Sequence, residues 1–198
     1  MTPSQIFFTA LSLSFLVPLL GPAVARAGCY DTTVAALPSK ATYDSGQMIE
    51  VLSREGDRMT YRQTILESGK QVEMTVQAGL FTLTALRDGE GAVFDWKTAL
   101  PGLADLKPGA SFHAEAILTT PGLLPPRPFT TDVEVLGQET VEIDGCAYSA
   151  LKVMVKNVEG GKPLGDNTKW IHLPSMITLK SIVADHGSSR EQTVTALE

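Results

Sequence analysis

Short segments in which apolar and polar residues alternate, separated by Gly-containing turns, dominate the chain from position 46 onwards. In "GQMIEVLSREGDRMTYRQTILESGKQVEMTVQAGLFTLTA", residues 46–85, the interruptions fall at Glu55-Gly56-Asp57, Ser68-Gly69 and Ala78-Gly79. A period of two places alternate side chains on the same face of a strand, and tight turns join antiparallel neighbours. The pattern therefore predicts a β-meander with one face packed on a core.

Strand patterns return in the second half of the chain. "TTDVEVLGQETVEIDGCAYSALKVMVKNVE" contains a hairpin signal at Asp144-Gly145, and Gly137 inside its first strand predicts a bulge. About nine to eleven strands and no helix longer than about two turns make the class mainly β. We expect one strongly curved antiparallel sheet or open half-barrel. A β-sandwich is the alternative, because strand spacing does not separate the two.

Residues 96–128 break the strand pattern because they are rich in Pro and Gly. We expect a short helical turn near residues 103–106 and one strand over residues 111–118. Residues 121–128 are predicted to be irregular, because proline lacks a backbone donor and fixes the backbone.

The N-terminal residues 1–27 have the pattern of a cleaved export signal. Positions 6–20 are almost all apolar or small, and Ala25-Arg26-Ala27 provides a small-x-small cleavage site. Cleavage after Ala27 leaves residues 28–198 as a single β domain in the periplasm or outside the cell, with no membrane span. An uncleaved anchor is the alternative, and the lack of Lys or Arg before the apolar run leaves the start codon open.

Cys29 and Cys146 are the two cysteines of the chain. Two cysteines in an exported protein predict a disulfide bond. Lipidation of Cys29 is less favoured, because Arg26 stands where a lipoprotein signal needs an apolar residue. Two free thiols are the remaining alternative.

The charge distribution argues against nucleic acid as a partner. The formal net charge is −6, and Lys and Arg are scattered among the acids. Without a basic patch, we expect neither nucleic acid nor anionic lipid headgroups to bind.

No pattern in the sequence predicts a reaction. His113, His172 and His186 have no metal-ligand spacing. Ser175 follows His172 closely, but no Gly-x-Ser-x-Gly surrounds it, and residues three apart on a strand point to opposite faces. We therefore predict no catalytic residue, no metal and no cofactor, and a protein that is not an enzyme.

Several large apolar side chains lie in or near the Pro-rich segment and the later strands. They are candidates for the mouth of an apolar cavity in a curved sheet, with packing in the core as the alternative. The candidates are Leu123, Leu124, Phe129, Tyr148 and Trp170.

The order of "GQMIEV", a meander, "LKPG", "VLGQETVEIDGCAYSALKV" and "TKWIHLPSMITLKSIV" resembles an uncharacterised family of bacterial periplasmic β-proteins, a domain of unknown function. The resemblance covers residues 46–184 and depends on Gly145, Trp170, Pro174 and Lys180. That family is similar to half-barrel lipoproteins and lipid carriers. The resemblance implies a curved sheet around an apolar cavity and a location in the cell envelope, with no catalytic residues.

Two hypotheses about function follow. The first is a non-enzymatic envelope protein that binds an apolar small molecule or a lipid-like chain. The second is a structural or interaction domain that docks an envelope protein through a sheet edge or the Pro-rich loop. A carrier needs an unfilled cavity, whereas a docking domain needs an exposed apolar patch.

Mass spectrometry of the protein from its own periplasm tests the predicted processing. Under denaturing, non-reducing conditions we expect a mass that begins at Gly28 and is two hydrogens lighter than the reduced chain. A diacylglyceryl group on Cys29 would contradict the disulfide.

Overall fold

The computed structural model describes Cys29 and residues 37–122, 124–185 and 187–198. These residues form twelve β-strands and one 3₁₀ turn. None of the helices in this part of the chain has the length and hydrophobicity to cross a bilayer. The predicted export signal, Leu123 and His186 lie outside the described residues.

The strands follow one another with short connections along most of the chain. They are β1 (Lys40–Tyr43), β2 (Gln47–Glu55), β3 (Arg58–Ile65), β4 (Gln71–Gln77), β5 (Phe81–Arg87), β6 (Glu90–Trp96), β7 (Ser111–Thr120), β8 (Leu124–Ile143), β9 (Cys146–Glu159), β10 (Lys162–His172), β11 (Ile177–Asp185) and β12 (Ser188–Leu197).

The sheet is a closed antiparallel barrel. Each strand pairs with the next, and β1 pairs with β12, with Ala41 opposite Leu197. The expectation of an open half-barrel or a sandwich is therefore wrong. The physical reason is that closure depends on pairing between the two ends of the described chain, where Lys40 and Glu198 are 158 positions apart. Local periodicity in the sequence does not show whether such distant strands pair.

The prediction that residues 121–128 are irregular is also wrong, because β8 begins at Leu124 and includes three prolines, Pro125, Pro126 and Pro128. Leu124, Arg127 and Pro128 pair with β7, and Pro125 and Pro126 fall at a register shift in that ladder. The pairing of β8 with β9 begins only at Phe129. Prolines are tolerated where a strand is paired on one side, because no ladder then needs the missing donor.

Several local predictions are confirmed. The register of β8 against β9 shifts between Val135 and Gly137, which is the predicted bulge. Asp144 and Gly145 form the β8–β9 turn with positive φ angles of 49° and 74°, as expected for a two-residue hairpin. The short helical turn spans Leu103–Asp105.

A disulfide bond joins Cys29 to Cys146, as the two cysteines predicted, with a Cα–Cα distance of 5.5 Å. It ties the start of the described chain to the first residue of β9. The bond spans 117 positions. In the loop-entropy model such a closure destabilises the unfolded state by roughly 4–5 kcal/mol.

One end of the barrel is closed by its own turns. Because neighbouring strands are antiparallel, the β2–β3, β4–β5, β6–β7, β8–β9 and β10–β11 connections share one end. There, a Cβ atom placed on Gly79 of the β4–β5 turn would lie 2.7 Å from the Met176 carbonyl oxygen of the β10–β11 turn. The two turns come from opposite sides of the ring and touch. We call this the closed end.

Side chains fill the interior on the side of β5–β10. Eight strands make a barrel that side chains just fill, and twelve enclose more space. Beside β5–β10, the space is occupied by a buried cluster and by three aromatic rings that contact one another, Phe94, Trp96 and Phe129. The cluster consists of Ala78, Leu80, Phe81, Leu106, Ala114, Val133, Val135, Leu151, Val153, Val155 and Ile171.

Gly79→Ala tests the contact that closes the barrel. Gly46 is the matched control, because its φ of +74° is close to the +70° of Gly79 but it has open space around it. Both changes strain a left-handed backbone, and only Gly79→Ala also pushes a methyl group into Met176. We expect Gly79→Ala to lower the free energy of unfolding by about 1–3 kcal/mol more than Gly46→Ala in urea titrations. Equal losses would show that the two turns separate at little cost.

Candidate functional site

A cavity of about 260 Å³ lies in the lumen of the barrel. Its walls come from β1–β5 on one side and from β10–β12 on the other. It reaches the closed end, where Gly79, Leu80 and Met176 line it. We call this space the lumen cavity.

The part of the lumen cavity nearest the closed end is apolar. Met59 is the second residue of β3 and pairs with Val76 of β4, close to the turns at this end. Both side chains are buried. The apolar wall is completed by Ile49, Leu80, Met176 and Ile177.

The opposite part of the lumen cavity is polar. Gln63 lies on the same face of β3 as Met59, four positions nearer the other end of the strand. Its Nε2 atom donates a hydrogen bond of 2.7 Å to Gln47 Oε1. Asn167, Ser181 and Gln192 also line the cavity. The alternation of β3 therefore places apolar and polar side chains at different depths of the same lumen.

Two tyrosines form part of the wall and stay neutral. Tyr43 Oη donates a 2.8 Å hydrogen bond to the Thr178 carbonyl oxygen, and Tyr61 Oη lies 3.3 Å from Met74 Sδ. Burial raises the pKa of Tyr61 to about 12, and burial raises the pKa of Tyr43 further. These hydroxyl groups add polarity without charge.

Lys169 is the one charged side chain among the described residues that line the lumen cavity. It is opposite Val153 on β9 and Ser181 on β11, and both neighbours are buried, so Lys169 shares their inward face. Burial lowers the pKa of its ammonium group. Asn167 lies two positions earlier on the same face, and its buried Oδ1 atom has no hydrogen-bond partner in the part of the chain that the structure describes.

Four of the five residues predicted to line a cavity mouth are described, and these four do not line the lumen cavity. Leu124 is 53% exposed. Phe129 packs with Phe94 and Trp96. Tyr148 and Trp170 lie in the same buried cluster. The structure therefore brings two of the five together and places the other two described residues elsewhere.

Trp170 is held by polar contacts around its ring. Its Nε1 atom donates a 2.7 Å hydrogen bond to Glu139 Oε2. The Nζ atoms of Lys152 and Lys180 lie 5.0 and 5.3 Å from the ring centroid, within the range of cation–π attraction. Hydrogen bonds from Lys152 and then from Trp170 lower the pKa of Glu139.

His172 and Ser175 meet, so the prediction that they face opposite sides is wrong. β10 ends at His172, and the turn over residues 173–176 brings Ser175 Oγ to 2.8 Å from His172 Nδ1. Both residues are buried, and His172 Nε2 has no partner within the described residues. Burial, and then the positive charge of Arg54, lower the pKa of His172. Ser175 Oγ is thus enclosed rather than open to a substrate.

His113 lies in a contrasting, solvent-exposed environment. Its Nδ1 atom is 2.7 Å from Asp132 Oδ1, and its Nε2 atom is 3.5 Å from Glu115 Oε1. The hydrogen bond to Asp132, followed by that to Glu115, raises the pKa of His113. The pKa of His113 is therefore above the ordinary value for histidine, and the pKa of His172 is below it.

Sequence reasoning missed Lys169 and Asn167. The sequence "DNTKWIH" holds a signal that could have found them. Asn167 and Lys169 lie four and two positions before Ile171, so in a strand these polar side chains are on the same face as an apolar residue. The alternation is hard to read there, because the neighbouring Trp170 and Ile171 are both buried and the register of β10 against β11 shifts between them.

Comparison with known proteins gives a structural likeness but no family. No protein-family model matches the chain, and no curated protein matches it. The chain is similar to the crystal structure of the hypothetical lipoprotein YmcC from Escherichia coli K12, with a TM-score of 0.49 and 12% sequence identity over 81% of this chain and 85% of that chain. A likeness of this size assigns neither fold nor function. The resemblance to a periplasmic family depends on the quoted motifs alone.

His172→Asn tests the buried imidazole. An unfolded histidine has a pKa near 6.5, so a lowered folded pKa means that the unfolded state takes up more protons as the pH falls below about 7. Between pH 7.5 and 5.5 this uptake lowers the free energy of unfolding, so we expect His172→Asn to lose less stability than the wild type does. His113→Asn should lose more, because the raised pKa of His113 stabilises the folded state in acid. Urea titrations at both pH values measure the free energy of unfolding of each protein. The same pH dependence in the wild type and in His172→Asn would contradict the role of the buried imidazole.

Proposed function

We propose that this protein is a non-enzymatic binding protein of the cell envelope that holds a small amphipathic molecule in the lumen of its barrel. The observation that carries the proposal is the lumen cavity, which is apolar beside the closed end and polar at the opposite part. A ligand with an apolar tail and a polar head matches this gradient. Ligand sites in β-barrels are commonly lumenal.

The size of the cavity limits the ligand. At the roughly 30 Å³ that one water-sized group occupies in a liquid, about 260 Å³ holds about nine non-hydrogen atoms. This favours a medium-length chain over a whole phospholipid. The tail would lie against Met59 and Met176, whose flexible thioethers adapt to different shapes.

The location in the envelope is part of the proposal. It is supported by the export-signal pattern of residues 1–27 and by the Cys29–Cys146 disulfide. Disulfides form and persist mainly in oxidising compartments.

Docking of a partner through a sheet edge, the alternative drawn from the sequence, has less support in a closed ring, because a closed barrel lacks the long free edges of an open sheet. Residues 124–128 of β8 keep a short free edge, since the pairing with β9 begins only at Phe129, but the prolines there lack the backbone donors that a docking strand needs. The Pro-rich residues 124–128 are part of β8 and not a loop.

Isothermal titration calorimetry with octanoate and with octan-1-ol tests the proposal. We expect saturable one-to-one binding of at least one of them, with a negative heat-capacity change from the buried chain. Met74→Trp should weaken that binding at least about tenfold, because the larger side chain fills the lumen cavity that Met74 lines.

Glu73→Trp is the matched control. Glu73 precedes Met74 on β4 and is exposed, so its side chain points away from the lumen. Binding by this variant should equal that of the wild type. Failure of both compounds to bind, or undiminished binding by Met74→Trp, would contradict a lumenal site.

A further inference from the structure

We propose that the ligand of the lumen cavity carries a carboxylate and that Lys169 is its charge partner. This inference rests on the proposed function and adds the chemical class of the ligand. The observation behind it is that the described wall of the cavity contains a lysine and no acidic side chain.

The wall of the lumen cavity is unbalanced in charge. Among the described residues, Lys169 is accompanied there by amide, hydroxyl, thioether and aliphatic side chains, and by no aspartate or glutamate. In the described part of the chain, its Nζ atom has neither an ion pair nor a hydrogen bond. Partial burial of an ammonium group without an acceptor costs free energy that a bound anion would offset.

The other described lysines show that this is unusual in the molecule. Five of them pair with an acid: Lys40, Lys97, Lys152, Lys156 and Lys180. Those without an ion pair, Lys70, Lys107 and Lys162, are exposed to water. Within the described residues, Lys169 alone is both partly buried and unpaired. Its position is explained if the missing acid belongs to the ligand.

A single lysine selects the type of anion. One positive charge balances a monocarboxylate, whereas a phosphate monoester carries about −1.5 to −2 charges at neutral pH. Ser181 lies directly opposite Lys169 on β11 and offers a hydroxyl donor beside the ammonium group.

The depth of Lys169 fits a medium-length chain. Lys169 lies three positions before the end of β10 at His172, which is roughly 10 Å of strand at about 3.3 Å per residue. The carboxylate would lie at Lys169, with its tail extending past Ile177 and Met176 toward the closed end.

Calorimetric titration of the full-length, disulfide-bonded protein with octanoate, octan-1-ol and octyl phosphate at neutral pH tests the inference. The wild type should bind octanoate at least about tenfold more tightly than octan-1-ol, the range expected for a hydrogen bond to a charged group. Lys169→Met keeps the apolar stem and removes the charge. It should abolish this preference while leaving octan-1-ol binding within about twofold.

Two further variants control for other effects. Lys169→Arg keeps the charge and should retain a preference for octanoate. Lys156→Met removes an exposed lysine of β9 and should bind both compounds as the wild type does. Circular dichroism checks that each variant is folded. If Lys169→Met does not fold, the wild-type preference and the Lys169→Arg variant decide the matter.

The outcomes separate this inference from the proposed function. Equal binding of octanoate and octan-1-ol by the wild type, or wild-type octanoate affinity in folded Lys169→Met, overturns the role of Lys169 and leaves a lumenal binding protein. Tighter binding of octyl phosphate than of octanoate overturns the carboxylate assignment. No saturable binding of any of the three compounds overturns both proposals.

Discussion

The pairing of β1 with β12 is the interaction on which the rest of the structure depends. It joins the backbone of Lys40 to that of Glu198 through hydrogen bonds in both directions, of 3.0 and 2.9 Å, and an ion pair joins the two side chains at 3.0 Å. The pairing removes the two edges that an open sheet would expose. It also sets the number of strands in the ring at twelve, and the strand number sets the width of the interior.

That width explains why the molecule has both a core and a cavity. On one side of the lumen, aliphatic side chains and the rings of Phe94, Trp96 and Phe129 fill the space. On the other side, the gap between β1–β5 and β10–β12 is left open above the contact of Gly79 with Met176. The open part is where the sequence departs from the rule of an apolar interior, with Lys169 and Asn167 facing inward. Such local conflicts are expected at functional sites.

Local features were predictable wherever neighbouring residues decide them. The Asp144-Gly145 turn and the bulge at Gly137 follow from the backbone freedom of glycine and from alternation. The site was less predictable. Phe129, Tyr148 and Trp170 were recognised as large apolar residues, but which cluster each joins depends on the barrel. Ser175 reaches His172 because a turn follows β10, and strand geometry alone does not show this.

The sequence by itself determined the mainly β class, most of the turns and the Cys29–Cys146 disulfide, because these depend on periodicity, on turn residues and on cysteine number. Only the tertiary structure decided that the sheet closes, that residues 124–128 form a strand paired on one side, and that Lys169 faces the lumen. The physical reason is that each of these is a relation between distant strands. The orientation of a side chain in a barrel is set by the register against its neighbours, and a bulge such as that near Trp170 shifts this register.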